Sequence, residues 1–96
     1  MDADIQELSI WLSEVDPERL KNLIEDVIDE STFTVFGFLE HYFASTGYTA
    51  VWLLGESHLA IHTFPEIGKT YLQVSTCNMP RFLRLCRALA LRQRES

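Results

Sequence analysis

Hydrophobic spacing changes several times along this chain, and each change marks an expected element. In residues 5 to 14, IQELSIWLSE, Leu8, Ile10 and Leu12 recur at every second position, as on the buried side of a strand, although Trp11 blurs the alternation. Asp16-Pro17-Glu18 then supplies an N-cap, a proline for the first helical position and an early acid. Leu20, Leu23, Ile24, Val27 and Ile28 follow at helical spacing and predict a helix over residues 17 to 29. After Ser31-Thr32 the stretch FTVFGFLEHYF is rich in aromatic and β-branched residues, which predicts a strand over 33 to 43 with a bulge at Gly37.

Ser45-Thr46-Gly47 is turn chemistry, and YTAVWLL is a nearly continuous apolar run, the signature of a strand buried on both sides and ended by Gly55. SHLAIHTF alternates, with Leu59 and Ile61 facing one way and His58, Ala60 and His62 the other. Pro65-Glu66-Ile67-Gly68 turns the chain into TYLQVSTC, where Leu72 and Val74 face inward and Gln73, Ser75 and Cys77 face away. Asn78-Met79-Pro80 opens a last helix with an apolar stripe of Phe82, Leu85, Cys86 and Leu89. The order predicts an α+β domain: an antiparallel β-sheet with two helices packed on one face, a two-layer sandwich spanning residues 1–96 as a single unit.

Length and charge refine this picture. A chain of 96 residues buries only somewhat over ~60% of its unfolded surface, so its core is thin and a second copy would help it. The net charge of −6 disfavours nucleic acid, yet ten of the fourteen acids lie in residues 1 to 30 and five of the eight bases in 81 to 94. Arg81, Arg84, Arg87, Arg92 and Arg94 have no interleaved aromatic residues and read as a solvated helix face rather than an RNA site. The N-terminus is acidic, no apolar run is long enough to span a membrane, and Cys77 and Cys86 form no disulfide framework. A cytoplasmic protein with no nucleic-acid or membrane partner is expected.

The uncovered sheet face gathers His58, His62, Gln73, Ser75 and Cys77, the first hint of chemistry. Taken singly, each has a plainer explanation: a strand histidine, a small buried thiol, a turn serine. His58, His62 and Cys77 lack the close ligand pairs of a zinc site, and no metal is expected. Ser57, His62 and Glu66 lack the strand-to-helix elbow of a serine hydrolase.

Longer patterns are more specific. ESHLAIHTFPE resembles the hallmark of the prokaryotic S-adenosylmethionine decarboxylase proenzymes, in which Glu-Ser-His opens a strand running into Ile-His-Thr, an aromatic residue, Pro and Glu. HYFASTGYTAVWLL resembles the family's approach strand, and STC places Cys77 twenty residues after Ser57, where the family has its catalytic cysteine. The resemblance is dense from His41 to Pro80 and thinner from Leu8 through the first helix.

What the resemblance implies is a self-made catalyst. The Ser57 hydroxyl attacks the preceding carbonyl, the Glu56-Ser57 bond is cut, and a β chain of residues 1–56 and an α chain of 57–96 result, the latter headed by a pyruvoyl group. An amino acid loses CO2 only if the electrons left behind have a sink, and a Schiff base on a pyruvoyl carbonyl offers one without an external cofactor or metal. By the same resemblance His62 assists processing, Cys77 is the proton donor after decarboxylation, and Glu56 flanks the cut. Phe43, Thr49 and Glu66 fall at substrate-side positions, although a turn acid such as Glu66 is equally a surface residue. The family pairs sheets from two protomers, so a homodimer of cleaved protomers is expected. Ser57 and His62, five apart, would face opposite sides of a regular strand, so Ser57 is required in the turn or at a bulge near Gly55.

The chain also departs from the family. Ile5-Gln6-Glu7 stands where a Gly-Arg/Lys-His start is common, Phe64 replaces a tryptophan, Asn78 replaces a glycine, and the first helix region is shorter. Three readings follow: decarboxylation of S-adenosylmethionine for spermidine biosynthesis; decarboxylation of arginine or ornithine by the same pyruvoyl chemistry; or an uncleaved non-catalytic homologue acting as a partner or regulator, against which the retained Ser57, His62 and Cys77 count.

Overall fold

The computed structural model describes residues 1–95; Ser96, the last residue of the expected α chain and of the expected domain, and the side chains of Arg94 and Glu95 lie outside the described residues. Strands β1 (Gln6–Leu12), β2 (Gly37–Tyr42), β3 (Tyr48–Leu53), β4 (His58–Phe64) and β5 (Lys69–Thr76) form one antiparallel sheet in the order β1-β5-β4-β3-β2. Helix α1 (Pro17–Glu30) separates β1 from the β2–β5 meander, and helix α2 (Met79–Glu95) follows it. A 3-10 turn, Pro65–Ile67, links β4 to β5 and closes on Gly68 at φ 67°, a left-handed angle that suits glycine.

Alternation decides which side of the sheet is covered. Leu20, Ile24, Val27 and Ile28 of α1 and Leu85 and Leu89 of α2 join Trp52, Leu59, Ile61, Leu72 and Val74 in one core cluster. Both helices therefore cover the same face. Asp16 starts α1 by accepting the Arg19 N–H at 3.0 Å, ahead of Pro17 in the first turn, as its sequence implied. At the far end Ser31 is fully buried, with its hydroxyl on the Val27 carbonyl at 2.6 Å, which gives that polar group a partner.

The opposite face of the sheet has no helix over it. The register aligns Leu39, Val51, Ala60, Gln73 and Ser9 in one row, and His41, Thr49, His62, Tyr71 and Trp11 in the next. Leu39 at 75%, Leu53 at 54% and Trp11 at 49% are well exposed for large apolar side chains.

Four expectations need correction. The strand expected over 33 to 43 spans only Gly37–Tyr42, because Thr32 turns the chain at φ 65° and Phe33 fills the core end instead of extending the sheet. Gly37 makes no bulge; it pairs in register with Leu53. β3 is buried on one side only: Tyr48, Ala50 and Trp52 are enclosed, while Val51 and Leu53 lie on the uncovered face. An apolar run in an antiparallel sheet thus marks an uncovered apolar surface here, not a central buried strand. Cys77 also falls just after β5, not on its outer face.

Candidate active site

The β3–β4 hairpin is closed by Gly55 and Glu56 at φ 49° and 57°, with the Leu54 N–H donating to the Ser57 carbonyl at 2.8 Å. Positive φ at both central positions is what the tight twist-matched hairpin requires. Gly55 is needed twice over, since a Cβ there would also lie 2.9 Å from the Phe36 ring. Glu56 has no such licence: its side chain sits in left-handed backbone at the peptide that precedes Ser57, a position that costs about 1–2 kcal/mol for a non-glycine residue.

Ser57 lies in the turn, but the turn does not bring it to the side of His62: its side chain is turned inward to 5% exposure. Continuing the His58–Ser75 pairing by one step sets it opposite Thr76, whose Oγ1 accepts the Ser57 hydroxyl at 2.7 Å. Thr76 Oγ1 also accepts the Asn78 N–H at 3.0 Å, so its orientation is fixed by the chain entering α2. Sequence reasoning passed over Thr76. The pairing of the two strands was its only signal.

Beside this turn is a cavity of about 210 Å³, walled by Phe33 and Phe36 and reached by Glu56, Ser57, Cys77 and Arg81. Cys77 is exposed, with Sγ 3.7 Å from Glu56 Oε2. Asn78 caps α2 by accepting the Arg81 N–H at 3.0 Å, which aims the start of the helix at the cavity. Burial raises the Cys86 thiol above its ordinary range, and that cysteine stands apart in α2.

The remaining candidate residues gather elsewhere. A shallow depression of about 360 Å³ is lined by Phe43, Thr49, His62, Phe64 and Glu66. Thr49 Oγ1 and His62 Nδ1 are 3.0 Å apart, and the His62 ring stacks on Tyr71 at 6.3 Å between centroids. Phe43 is half exposed and packs edge-on against His41. His58 pairs with Leu53 and Ser75 but lies outside both hollows.

The expected site is thus divided. Ser57, Glu56 and Cys77 share one hollow, while His62, Thr49, Phe43 and Glu66 share another. Five residue steps along the chain separate Ser57 from His62, about 16 Å at ~3.3 Å per residue. Their side chains also lie on opposite faces of the sheet, one buried beneath it and the other on its uncovered side. Among the described residues no three His, Cys, Asp or Glu side chains gather into a metal-sized group. No helix among them is long and apolar enough to cross a membrane.

Comparison with known proteins identifies relatives of the chain and of its fold. The chain is 37% identical over 60 residues to the S-adenosylmethionine decarboxylase proenzyme of Archaeoglobus fulgidus, covering 62% of this chain and 54% of the relative. It is 36% identical over 63 residues to the proenzyme of Aquifex aeolicus, covering 66% of this chain and 47% of that one. The chain spans about half the length of such curated relatives. The crystal structure of the adenosylmethionine decarboxylase from Aquifex aeolicus superposes with a TM-score of 0.74 at 26% identity, over 94% of this chain and 79% of that one. The family model for S-adenosylmethionine decarboxylase matches residues 12–92, which take in strands β2 to β5, only the last residue of β1, both hollows and most of α2. On these grounds the chain belongs to the S-adenosylmethionine decarboxylase family.

Proposed function

We propose that this protein is a self-processing, pyruvoyl-dependent decarboxylase of S-adenosylmethionine, assembled as a homodimer of cleaved protomers. The observation that carries the reading is the strained turn at the scissile peptide: Glu56 at φ 57° followed by a buried Ser57 hydroxyl already hydrogen-bonded to Thr76. Strain of this kind persists where it serves a mechanism.

The atoms balance without an outside reactant other than water. Ser57 Oγ bonds to the Glu56 carbonyl carbon as the carbon–nitrogen bond breaks, giving an ester and a free amine on residue 57. Removal of the Ser57 α-proton then breaks the Cβ–O bond, and the electron pair leaves on Glu56 as a carboxylate. Water finally replaces the nitrogen of residue 57, which departs as ammonia. Thr76 orients the attacking oxygen, and Gly55 lets the turn adopt the required angles.

The surroundings of Ser57 fit the resulting group. The position is enclosed, opens onto a cavity, and has Cys77 on the same wall. A pyruvoyl carbonyl there supplies the electron sink that decarboxylation needs. Cys77 holds a proton beside that centre, suited to return to carbon once CO2 has left.

His62 completes the site from a second protomer. A single chain keeps it about 16 Å along the backbone from Ser57, whereas two uncovered faces meeting about a two-fold axis set one end of each sheet against the other end of its partner. Leu39, Val51, Leu53 and Trp11 supply apolar surface for that contact. The hollow with Phe43, Phe64 and Glu66 then has rings to stack on adenine or rest against a sulfonium, and a carboxylate for a sugar hydroxyl. That aromatic lining favours S-adenosylmethionine over arginine or ornithine.

Purified protein is incubated separately with carboxyl-labelled S-adenosylmethionine, ornithine and arginine, and released CO2 is counted. Release from S-adenosylmethionine is expected. Release only from ornithine or arginine would reassign the substrate, and release from none would leave a non-catalytic homologue.

A further inference from the structure

Two charged side chains line the cavity beside Ser57 among the described residues, the Glu56 carboxylate and the Arg81 guanidinium, and in the intact chain they balance. Cleavage ends that balance, because the Glu56 carbonyl becomes a terminal carboxylate. One residue then presents two negative groups in a space of about 210 Å³ that also holds the Cys77 thiol, already 3.7 Å from Glu56 Oε2. A substrate amino acid brings a further carboxylate to the same place.

We infer that Arg81 is the positioning residue that receives the new Glu56 terminal carboxylate and holds the cut end of the first chain away from position 57. The inference rests on the self-processing reading above. Arg81 is built for the task. Its N–H is fixed by Asn78 Oδ1 at 3.0 Å, and its Nε donates to the Thr32 carbonyl at 3.0 Å. No described hydrogen bond or ion pair engages its two terminal nitrogens, the pair of donors that matches a carboxylate edge. Thr32 is itself steadied by Arg84, whose Nη1 donates to its Oγ1 at 3.2 Å, so Arg81 is anchored to a held loop. Glu56, for its part, is released on cleavage from a left-handed conformation it has every reason to leave.

The test uses the cleaved protein and a carboxypeptidase that removes an accessible C-terminal glutamate. Wild type, R81Q, R81K and R84Q are matured, checked by mass, and followed for loss of Glu56 from the first chain. In R81Q the loss is expected to accelerate by about tenfold or more, the ratio that removal of a charge-assisted hydrogen bond implies. R81K, which keeps the charge and loses the paired donors, shows a smaller acceleration and carries the comparison if R81Q folds poorly. R84Q loosens the same Thr32 from outside the cavity and stays at the wild-type rate. Equal trimming in wild type, R81Q and R81K overturns the inference while leaving self-processing intact. R84Q trimmed as fast as R81Q overturns it too, since it assigns the effect to the loop. A wild-type chain that never cleaves removes both readings, and its single mass identifies that case.

Discussion

Glu56 is the residue at which fold and chemistry compete most directly. Its φ of 57° suits glycine, yet the position carries a charged side chain at the bond to be cut. If strain there helps Ser57 reach the carbonyl, glycine should stabilise the intact fold and slow maturation. In a background with Ser57→Ala, which blocks cleavage, Glu56→Gly should raise stability by roughly 1 kcal/mol, measured by urea unfolding. With Ser57 present, the same change should lengthen the half-time of self-cleavage. An unchanged half-time would show that the strain does not assist the reaction. Ser57, Glu56 and Cys77 were legible as candidates through the family resemblance of ESHLAIHTFPE and STC. Thr76 and Arg81 were not, because one depends on which strands pair and the other on where a helix begins relative to a turn.

Elements with a clean period were read closely. The first helix, its Asp16 cap, and the alternation of β1, β4 and β5 follow from local rules, since each apolar stripe has one place to go. Residues 33 to 36 were misread as strand because Phe33 and Phe36 have strand propensity but are used otherwise. Phe33 plugs the core, and Phe36 packs against Gly55 while its N–H reaches the Leu53 carbonyl. The edge strand β2 is tied down by its own polar link: Glu40 accepts from the Tyr48 hydroxyl at 3.2 Å and from Lys21 at 3.3 Å. Burial, and then the Glu40 charge, push the Tyr48 phenol well above the ordinary tyrosine range. The folded state thus holds that proton more tightly than the unfolded chain does. Its contribution to stability is fully present below the usual tyrosine value of ~10 and is lost as pH rises beyond it. A spectrophotometric titration should therefore show one phenolate appearing only with alkaline unfolding, and Tyr48→Phe should lack that step. A wild-type curve in which every tyrosine ionises before unfolding would contradict this linkage.

At the scale of the whole molecule, the division of the site was raised by the five-residue spacing of Ser57 and His62, and placing Ser57 in a turn or bulge was expected to remove it. Spacings of five and twenty residues place Ser57, His62 and Cys77 in one motif, and the pattern is the same whether they meet within a chain or between chains. Only the pleat, which sends Ser57 beneath the sheet and His62 onto its uncovered face, separates the two cases. A shared site predicts complementation. Ser57→Ala and His62→Ala chains, each uncleaved alone, should yield cleaved His62→Ala chains when coexpressed, because that chain keeps its serine and borrows a histidine. Failure of the mixture to cleave, with dimers present, would return His62 to its own protomer. The central claim is simpler and is tested most directly by the intact mass of the purified protein. The account predicts two chains, residues 1–56 and a second beginning at position 57 that is lighter by one ammonia than its sequence requires, with the Ser57→Ala variant remaining a single chain. A wild-type preparation that consists of one unbroken chain and still releases CO2 from S-adenosylmethionine would contradict it.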